Sequence, residues 1–162
     1  MDRTLVVIKP DGVQRSLTGR IIQRFEDAGL KIVAMKMVWI DKDFAKKHYF
    51  DLEERRGEKV FRTMTDYLIL GPVVAMVLEG VESADNVRRL VGATEPKSAA
   101  PGTIRGDFTH HSFAHADTAN REIRNVIHAS GNAEEAKYEI GLWFADSEIH
   151  EYASDQQHHH VY

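Results

Sequence analysis

Thr4-Leu5-Val6-Val7-Ile8-Lys9-Pro10-Asp11-Gly12 decides how this chain is built. The first five residues form a β-rich run without polar alternation, so they read as a strand buried on both faces. Lys9-Pro10-Asp11-Gly12 ends that strand abruptly: Pro10 and Gly12 break it, and Pro10 keeps Lys9 extended. An unpaired ammonium is too costly to leave in a core, so Lys9 must bring its head group out at the strand end.

Outward from this strand, Thr18 is the expected N-cap of a helix over residues 19–28. Ile21, Ile22 and Phe25 fall on one face of it and Gly29 closes it. Residues 30–40 form a second strand, with Ile32, Ala34, Lys36 and Val38 alternating against Val33, Met35, Met37 and Trp39. Residues 42–49 and 58–68 read as helices separated by a turn at Arg55-Arg56-Gly57. Gly71-Pro72 opens a third strand, 73–78, and residues 83–91 make a short helix closed by Gly92. Residues 93–102 are a Pro-, Ala-, Ser- and Thr-rich loop, and 107–119 also read as irregular. Residues 125–128 are the fourth strand and 133–142 the last helix. A polar tail follows, in which His158-His159-His160 is expected to be flexible.

This order predicts an α+β fold, the ferredoxin-like βαββαβ sandwich: a four-stranded antiparallel sheet with helices packed on it. A doubly wound parallel sheet is the alternative, and it fits less well with only four strands and a helical pair before the third. With 162 residues and no internal repeat, the expectation is one domain, 1–162, with a polar C-terminal tail from about 145.

Composition narrows the function. The formal net charge of -4 argues against nucleic acid as a primary partner. The chain has no cysteine, which removes disulfides and thiolate chemistry and suits a cytoplasmic protein. No apolar run approaches the length of a membrane span, and the first residues lead into a strand pattern instead of a signal peptide. Many lysines and arginines in an acidic chain leave room for a small anion held by a few placed cations.

Arg124-Asn125-Val126-Ile127-His128-Ala129-Ser130 places a histidine where a buried strand gives way to a helix. Such an imidazole is held rigidly yet stays reachable, and its neutral form has a nucleophilic nitrogen. Glu139, on the following helix, can turn back and orient the ring. Lys9, Arg88, Thr94 and Arg105 are the residue types that a triphosphate tail needs, since guanidinium groups grip phosphate in a fixed fork. Taken singly, each is also an ordinary surface residue. No P-loop and no Gly-x-Gly-x-x-Gly occurs, so a nucleotide would be held without a glycine-rich cradle. His110, His111 and His115 cluster locally, but a polar loop without cysteine is a poor metal site, and no metal ligands are assigned.

Several blocks together carry a resemblance. They are Val7-Ile8-Lys9-Pro10-Asp11-Gly12-Val13-Gln14-Arg15, Gly71-Pro72-Val73-Val74-Ala75-Met76, Gly92-Ala93-Thr94, Pro101-Gly102-Thr103-Ile104-Arg105-Gly106-Asp107-Phe108, Asn125-Val126-Ile127-His128-Ala129-Ser130 and Glu139-Ile140-Gly141-Leu142-Trp143-Phe144. Across roughly residues 3–144 the chain resembles the nucleoside diphosphate kinases. The resemblance implies ping-pong transfer of a γ-phosphate from a nucleoside triphosphate to a nucleoside diphosphate through a phosphohistidine on His128. It puts Lys9 near the ribose and γ-phosphate, Arg88, Thr94 and Arg105 on the phosphates, and Asn125 on the sugar. Tyr49 and Glu139 would support the histidine, with Ser130 positioning Glu139. Mg²⁺ would be carried mainly by the nucleotide, and the chain would form a homo-oligomer, a hexamer or a tetramer. The alternative function is a catalytically weak nucleotide-binding or phosphohistidine regulatory protein of the same fold.

Three departures from the family pattern stand out. Where the family stacks a phenylalanine on the base, Arg55-Arg56-Gly57-Glu58-Lys59-Val60-Phe61 offers Val60, or Phe61 if the register slips. Between Phe108 and Asn125 the chain is about ten residues longer than is usual in the family, close to the base-binding side. Gly131 stands where many relatives have an aspartate near the metal-bound phosphates, which predicts weaker magnesium positioning.

Overall fold

The computed structural model describes residues 1–160; Val161 and Tyr162, the end of the expected tail, lie outside the described residues. The elements in order are β1 Asp2–Ile8, α1 Pro10–Gln14, α2 Thr18–Glu26, β2 Lys31–Val38, α3 Lys42–His48, α4 Leu52–Arg56, α5 Glu58–Leu68, β3 Val73–Gly80, α6 Ser83–Val91, α7 Ile104–Phe108, α8 Phe113–Thr118, β4 Ile127–Ala129, α9 Ala133–Trp143 and α10 Asp155–His160. The sheet runs β2-β3-β1-β4 and every pairing is antiparallel, which is the ferredoxin-like order. The parallel alternative is therefore excluded.

Antiparallel sheets often leave one face wet, but here both are covered. Val6 and Ile8 of β1, with Val74, Met76 and Leu78 of β3, pack against Ile21 and Phe25 of α2 and Val87 and Val91 of α6. Leu5 and Val7, with Val73, Ala75 and Val77, face Leu68 of α5 and Trp143 of α9 on the other side. This double cover is why β1 shows no polar alternation. Each of Leu5, Val6, Val7 and Ile8 is fully buried, which contributes about 1.5–3 kcal/mol apiece relative to exposure.

Several local expectations are corrected. Thr18 is the first helical residue of α2 and makes no cap; Leu17 precedes it without a side-chain bond. Gly29 does close the helix: with φ of 78° it lets Leu30 N–H reach back to Phe25 O. The second strand is shorter than predicted and carries an irregularity between Ile32 and Ala34. Residues 10–14, 52–56, 104–108 and 113–118 are short helices where breakers, turns or loops were expected. Such helices are too short to show a 3.6-residue apolar period; α7 and α8 are started instead by Thr103 and Ser112, whose side chains accept from Gly106 and His115 N–H.

The tail docks on β2, an edge strand. His150 N–H donates to Val33 O at 2.8 Å, Tyr152 Oη to Ile32 O at 2.6 Å, and Lys31 Nζ to Tyr152 O at 2.8 Å. Beyond it, residues 155–160 are helical instead of the expected flexible end.

The fourth strand departs most usefully from expectation. It begins at Ile127, because Val126 has φ of 59°, a left-handed conformation that a β-branched residue avoids. Ile127 N–H bonds Asn125 O across it at 2.7 Å, a γ-turn. Strain of this kind costs about 1–3 kcal/mol and persists only when neighbours fix it. Here Asp11 Oδ2 accepts from Val126 N–H at 3.2 Å and Lys9 N–H donates to Val126 O at 2.9 Å. Gly12 is required beside this turn, since a Cβ there would lie 2.9 Å from Val126 O and 2.8 Å from Ile8 Cγ2. The end of β1 and the start of β4 are thus locked together, and the lock aims Asn125 and His128.

Candidate active site

One cavity of about 720 Å³ is lined by Lys9, Tyr49, Val60, Arg88, Thr94, Arg105, Asn125, His128 and Glu139, which is every site residue expected from the sequence. They come from the residues just after β1 and α3, from α5, α6, the loop after it, α7, the Val126 turn, β4 and α9, so the cavity lies where these elements meet.

At its centre, His128 Nε2 lies 2.8 Å from Glu139 Oε1. The other Glu139 oxygen accepts from Ser130 Oγ, which in turn accepts from Leu5 N–H at 3.3 Å. Burial pushes the Glu139 carboxyl up, but the His128 charge and hydrogen bond, His48 and Ser130 outweigh it and hold it down at about 2. An ionised Glu139 keeps the ring proton on His128 Nε2, which leaves the Nδ1 lone pair as the nucleophile. His128 is half-buried, so that nitrogen is fixed without being sealed off.

Sequence reasoning missed His48. Its ring meets His128 edge-on at 4.5 Å and packs on Tyr49 and Trp143. Trp143 Nε1–H donates to its Nδ1 at 3.2 Å. Burial, helped by the His128 charge, lowers its pKa to about 3, so His48 stays neutral and does not compete for Glu139. Only its place next to Tyr49 at the end of α3 could have pointed to it. Tyr49 Oη is buried without a hydrogen-bond partner, and burial beside Glu139 raises its pKa, so the phenol stays a donor. Among the described residues, His48, His128 and Glu139 are the group of potential metal ligands, with ligand atoms within 4.8 Å of one another. The His128–Glu139 hydrogen bond and the burial of His48 and Glu139 fit an oriented nucleophile better than a cage. His111 and His115 touch ring to ring at 5.2 Å, but His111 Nδ1 is taken by Arg124 N–H.

Cations surround this centre. Lys9 is buried, its Nζ donating to Asn125 Oδ1 at 2.8 Å, while Asn125 Nδ2 donates to Thr94 O at 2.8 Å. The Asn125 amide therefore ties Lys9 to the loop after α6. Arg105 is also buried and gives three of its donors to backbone: Nε to Asn125 O, Nη1 to Gly92 O and Nη2 to Ile127 O. A guanidinium has five N–H donors, so two remain for a ligand. Burial and the neighbouring Arg88 lower its pKa to about 10, which leaves it charged at neutral pH. Arg88 is exposed on the rim. Val60 is 40% exposed and lines the cavity, whereas Phe61 packs against the core.

Lys9 gives a pH prediction. Burial and Arg105 bring its ammonium from 10.5 to about 7. In the free protein its charge is then lost as pH rises through about 7, so kcat/KM is expected to fall there. A bound phosphate restores the proton, so kcat should follow only at higher pH. The unfolded chain holds this proton up to 10.5 and the folded one does not, so the cost of burying the ammonium is carried in full below pH 7 and stability rises as pH climbs from about 7 to 10.5. Pre-steady-state phosphorylation rates and melting curves across pH 6–10 check both.

A ring nitrogen aimed by a buried carboxylate, inside a ring of fixed cations, is suited to receiving a phosphoryl group. Fold and cavity together define the class: a phosphotransferase that works on nucleotides. Residues 2–149 match the family model described as nucleoside diphosphate kinase. A nucleoside diphosphate kinase from Borreliella burgdorferi is 48% identical over 100% of this chain and 98% of its own length. One from Pyrococcus furiosus is 52% identical over 94% of this chain and 88% of its own. A solved transition-state mimic of the Borrelia burgdorferi enzyme, with bound vanadate and ADP, matches with a TM-score of 0.97 at 48% identity, covering 99% of this chain and 97% of that one. A Halobacterium salinarum enzyme in complex with CDP matches with a TM-score of 0.83 at 40% identity, over 97% and 96% of the two chains. The chain belongs to the nucleoside diphosphate kinase family, and its activity is transfer of phosphate from a nucleoside triphosphate to a nucleoside diphosphate.

Proposed function

We propose that the transfer runs by a ping-pong route through a phosphohistidine on His128 Nδ1. The observation that carries this reading is the His128 Nε2–Glu139 contact at 2.8 Å, which leaves Nδ1 as the unprotonated nitrogen. The Nδ1 lone pair forms the N–P bond as the bond from the γ-phosphorus to the bridging oxygen breaks, and the diphosphate leaves with that electron pair. In the second half-reaction a diphosphate oxygen takes the phosphoryl group and the ring recovers its lone pair. Lys9, Arg88, the two remaining Arg105 donors and the Tyr49 hydroxyl stabilise charge on the phosphate oxygens, and Thr94 and Asn125 position the nucleotide. The regulatory alternative has no observation in its favour, since nucleophile, carboxylate and cations lie together in one cavity.

Mg²⁺ fits this site as a passenger of the phosphates. The half-buried carboxylates Asp51 and Glu135 line the cavity but form no oxygen cage, which suits an ion that keeps its waters. When bound it neutralises phosphate charge. At Gly131 a Cβ would lie 2.6 Å from the Glu135 carboxylate, so Glu135 fills the space a side chain would take. The test of the mechanism is to label the chain with γ-labelled ATP and map the phosphate; label on His128 supports it, and label elsewhere or none defeats it.

The chain is further read as one working domain and as a cytoplasmic protein, which the lack of cysteine favours. Among the described residues no helix is long and apolar enough to cross a membrane. A homo-oligomer, hexamer or tetramer, is supported by the edge strand β2, where Met35, Met37 and the following Trp39 are 55%, 61% and 66% exposed. Light scattering should return a multiple of the 18.4 kDa chain mass, and a monomer at micromolar concentration overturns this.

A further inference from the structure

The segment between Phe108 and Asn125, expected from the sequence to be longer than is usual in the family, is not a loose loop. Phe113 N–H donates to Glu95 Oε1 at 3.0 Å, and Lys97 N–H to His111 O at 3.0 Å. Ser112 caps α8, Arg121 N–H returns to Ala116 O at 2.9 Å, and Arg124 N–H bonds His111 Nδ1 at 3.0 Å. The segment is therefore pinned at its start, middle and end, and it forms part of the wall of the cavity that holds His128.

Phe113 lies on that wall and is 45% exposed. The other exposed aromatics of the lining, Phe50 and Tyr138, already pair with each other at 4.6 Å, and Tyr138 Oη is bound to Lys47 O. Phe113 enters none of the ring contacts found among the described residues. Val60, on α5, offers the same cavity only an aliphatic surface. We propose that Phe113, on helix α8, is the aromatic platform on which the nucleobase stacks. The inference rests on the phosphotransferase reading, which places the phosphates at Lys9, Arg88 and Arg105 and leaves the rest of the cavity for the base. An aromatic ring on a pinned helix is also preorganised, so little ordering cost accompanies stacking.

The test compares ADP with the base-free ribose 5-diphosphate by titration calorimetry on the full chain. Stacking is worth a factor of roughly ten per base, so Phe113→Ala should weaken ADP about tenfold and leave ribose 5-diphosphate unchanged. Phe113→Leu keeps the apolar bulk without the ring and should behave the same way, while Phe113→Trp should retain ADP affinity. Unchanged ADP binding in the Ala and Leu variants overturns the assignment, as does equal weakening of both ligands. Failure of the underlying mechanism is read separately, as absence of label on wild-type His128, and the binding comparison decides the role of Phe113 in either case.

Discussion

Replacing His128 with asparagine is expected to abolish the phosphoenzyme and lower turnover by at least about 10⁴-fold, the scale on which a lost nucleophile is felt. The reason is geometric. The ring nitrogen is the one lone pair that Glu139 leaves free at the cavity centre, and asparagine has none to offer. A label that survives in His128→Asn would assign another acceptor. The same variant should also change acid stability. In the wild type the Glu139 carboxyl sits at about 2 against an ordinary 4.5, so its contribution to folding is present above pH 4.5 and lost as pH falls through about 2. Removing His128 removes the charge and hydrogen bond that hold it down, and burial then drives the carboxyl upward. Melting temperatures across pH 2–6 should show the acid limb moving to higher pH in the variant.

Arg105→Ala is expected to raise nucleotide KM, lower kcat and destabilise the fold together. Two guanidinium donors are left for a ligand under the proposed mechanism, and loss of one oriented charge at a transferring phosphoryl group costs about 10²–10³ in rate. The other three donors hold Asn125 O, Gly92 O and Ile127 O, two of which flank the strained Val126. Leaving buried carbonyls unmet costs about 1–3 kcal/mol each. Arg105→Lys separates the two roles: an ammonium restores charge near the phosphates but cannot span three carbonyls. Lysine should therefore recover part of KM while the melting temperature stays low. Equal recovery of both would mean that the backbone contacts contribute nothing to the turn.

Short-range signals carried much of this molecule. The unbroken apolar run of β1, the breakers after it, Gly29 and Gly92 are read locally, because strand burial, helix period and positive φ each depend on a few neighbouring residues. The motifs around Lys9, Arg105 and His128 named the candidate residues, and all of them line the cavity. Their duties were less legible. Arg105 read as a phosphate ligand, but most of its donors brace backbone from two other segments. Asn125 read as a sugar contact, and its amide also links Lys9 to Thr94.

By itself, the sequence determined the sheet-and-helix plan, the candidate nucleophile His128 and the cations that line its cavity, since each is written in residues close together in the chain. Tertiary structure alone decided the left-handed Val126, the neutral His48 against His128, and the helix α8 that brings Phe113 to the cavity. The physical reason is common to all three. A strained turn survives only when distant side chains over-determine it, a histidine stays neutral well below its ordinary pKa only when other elements bury it, and a cavity exists only where segments remote in sequence converge.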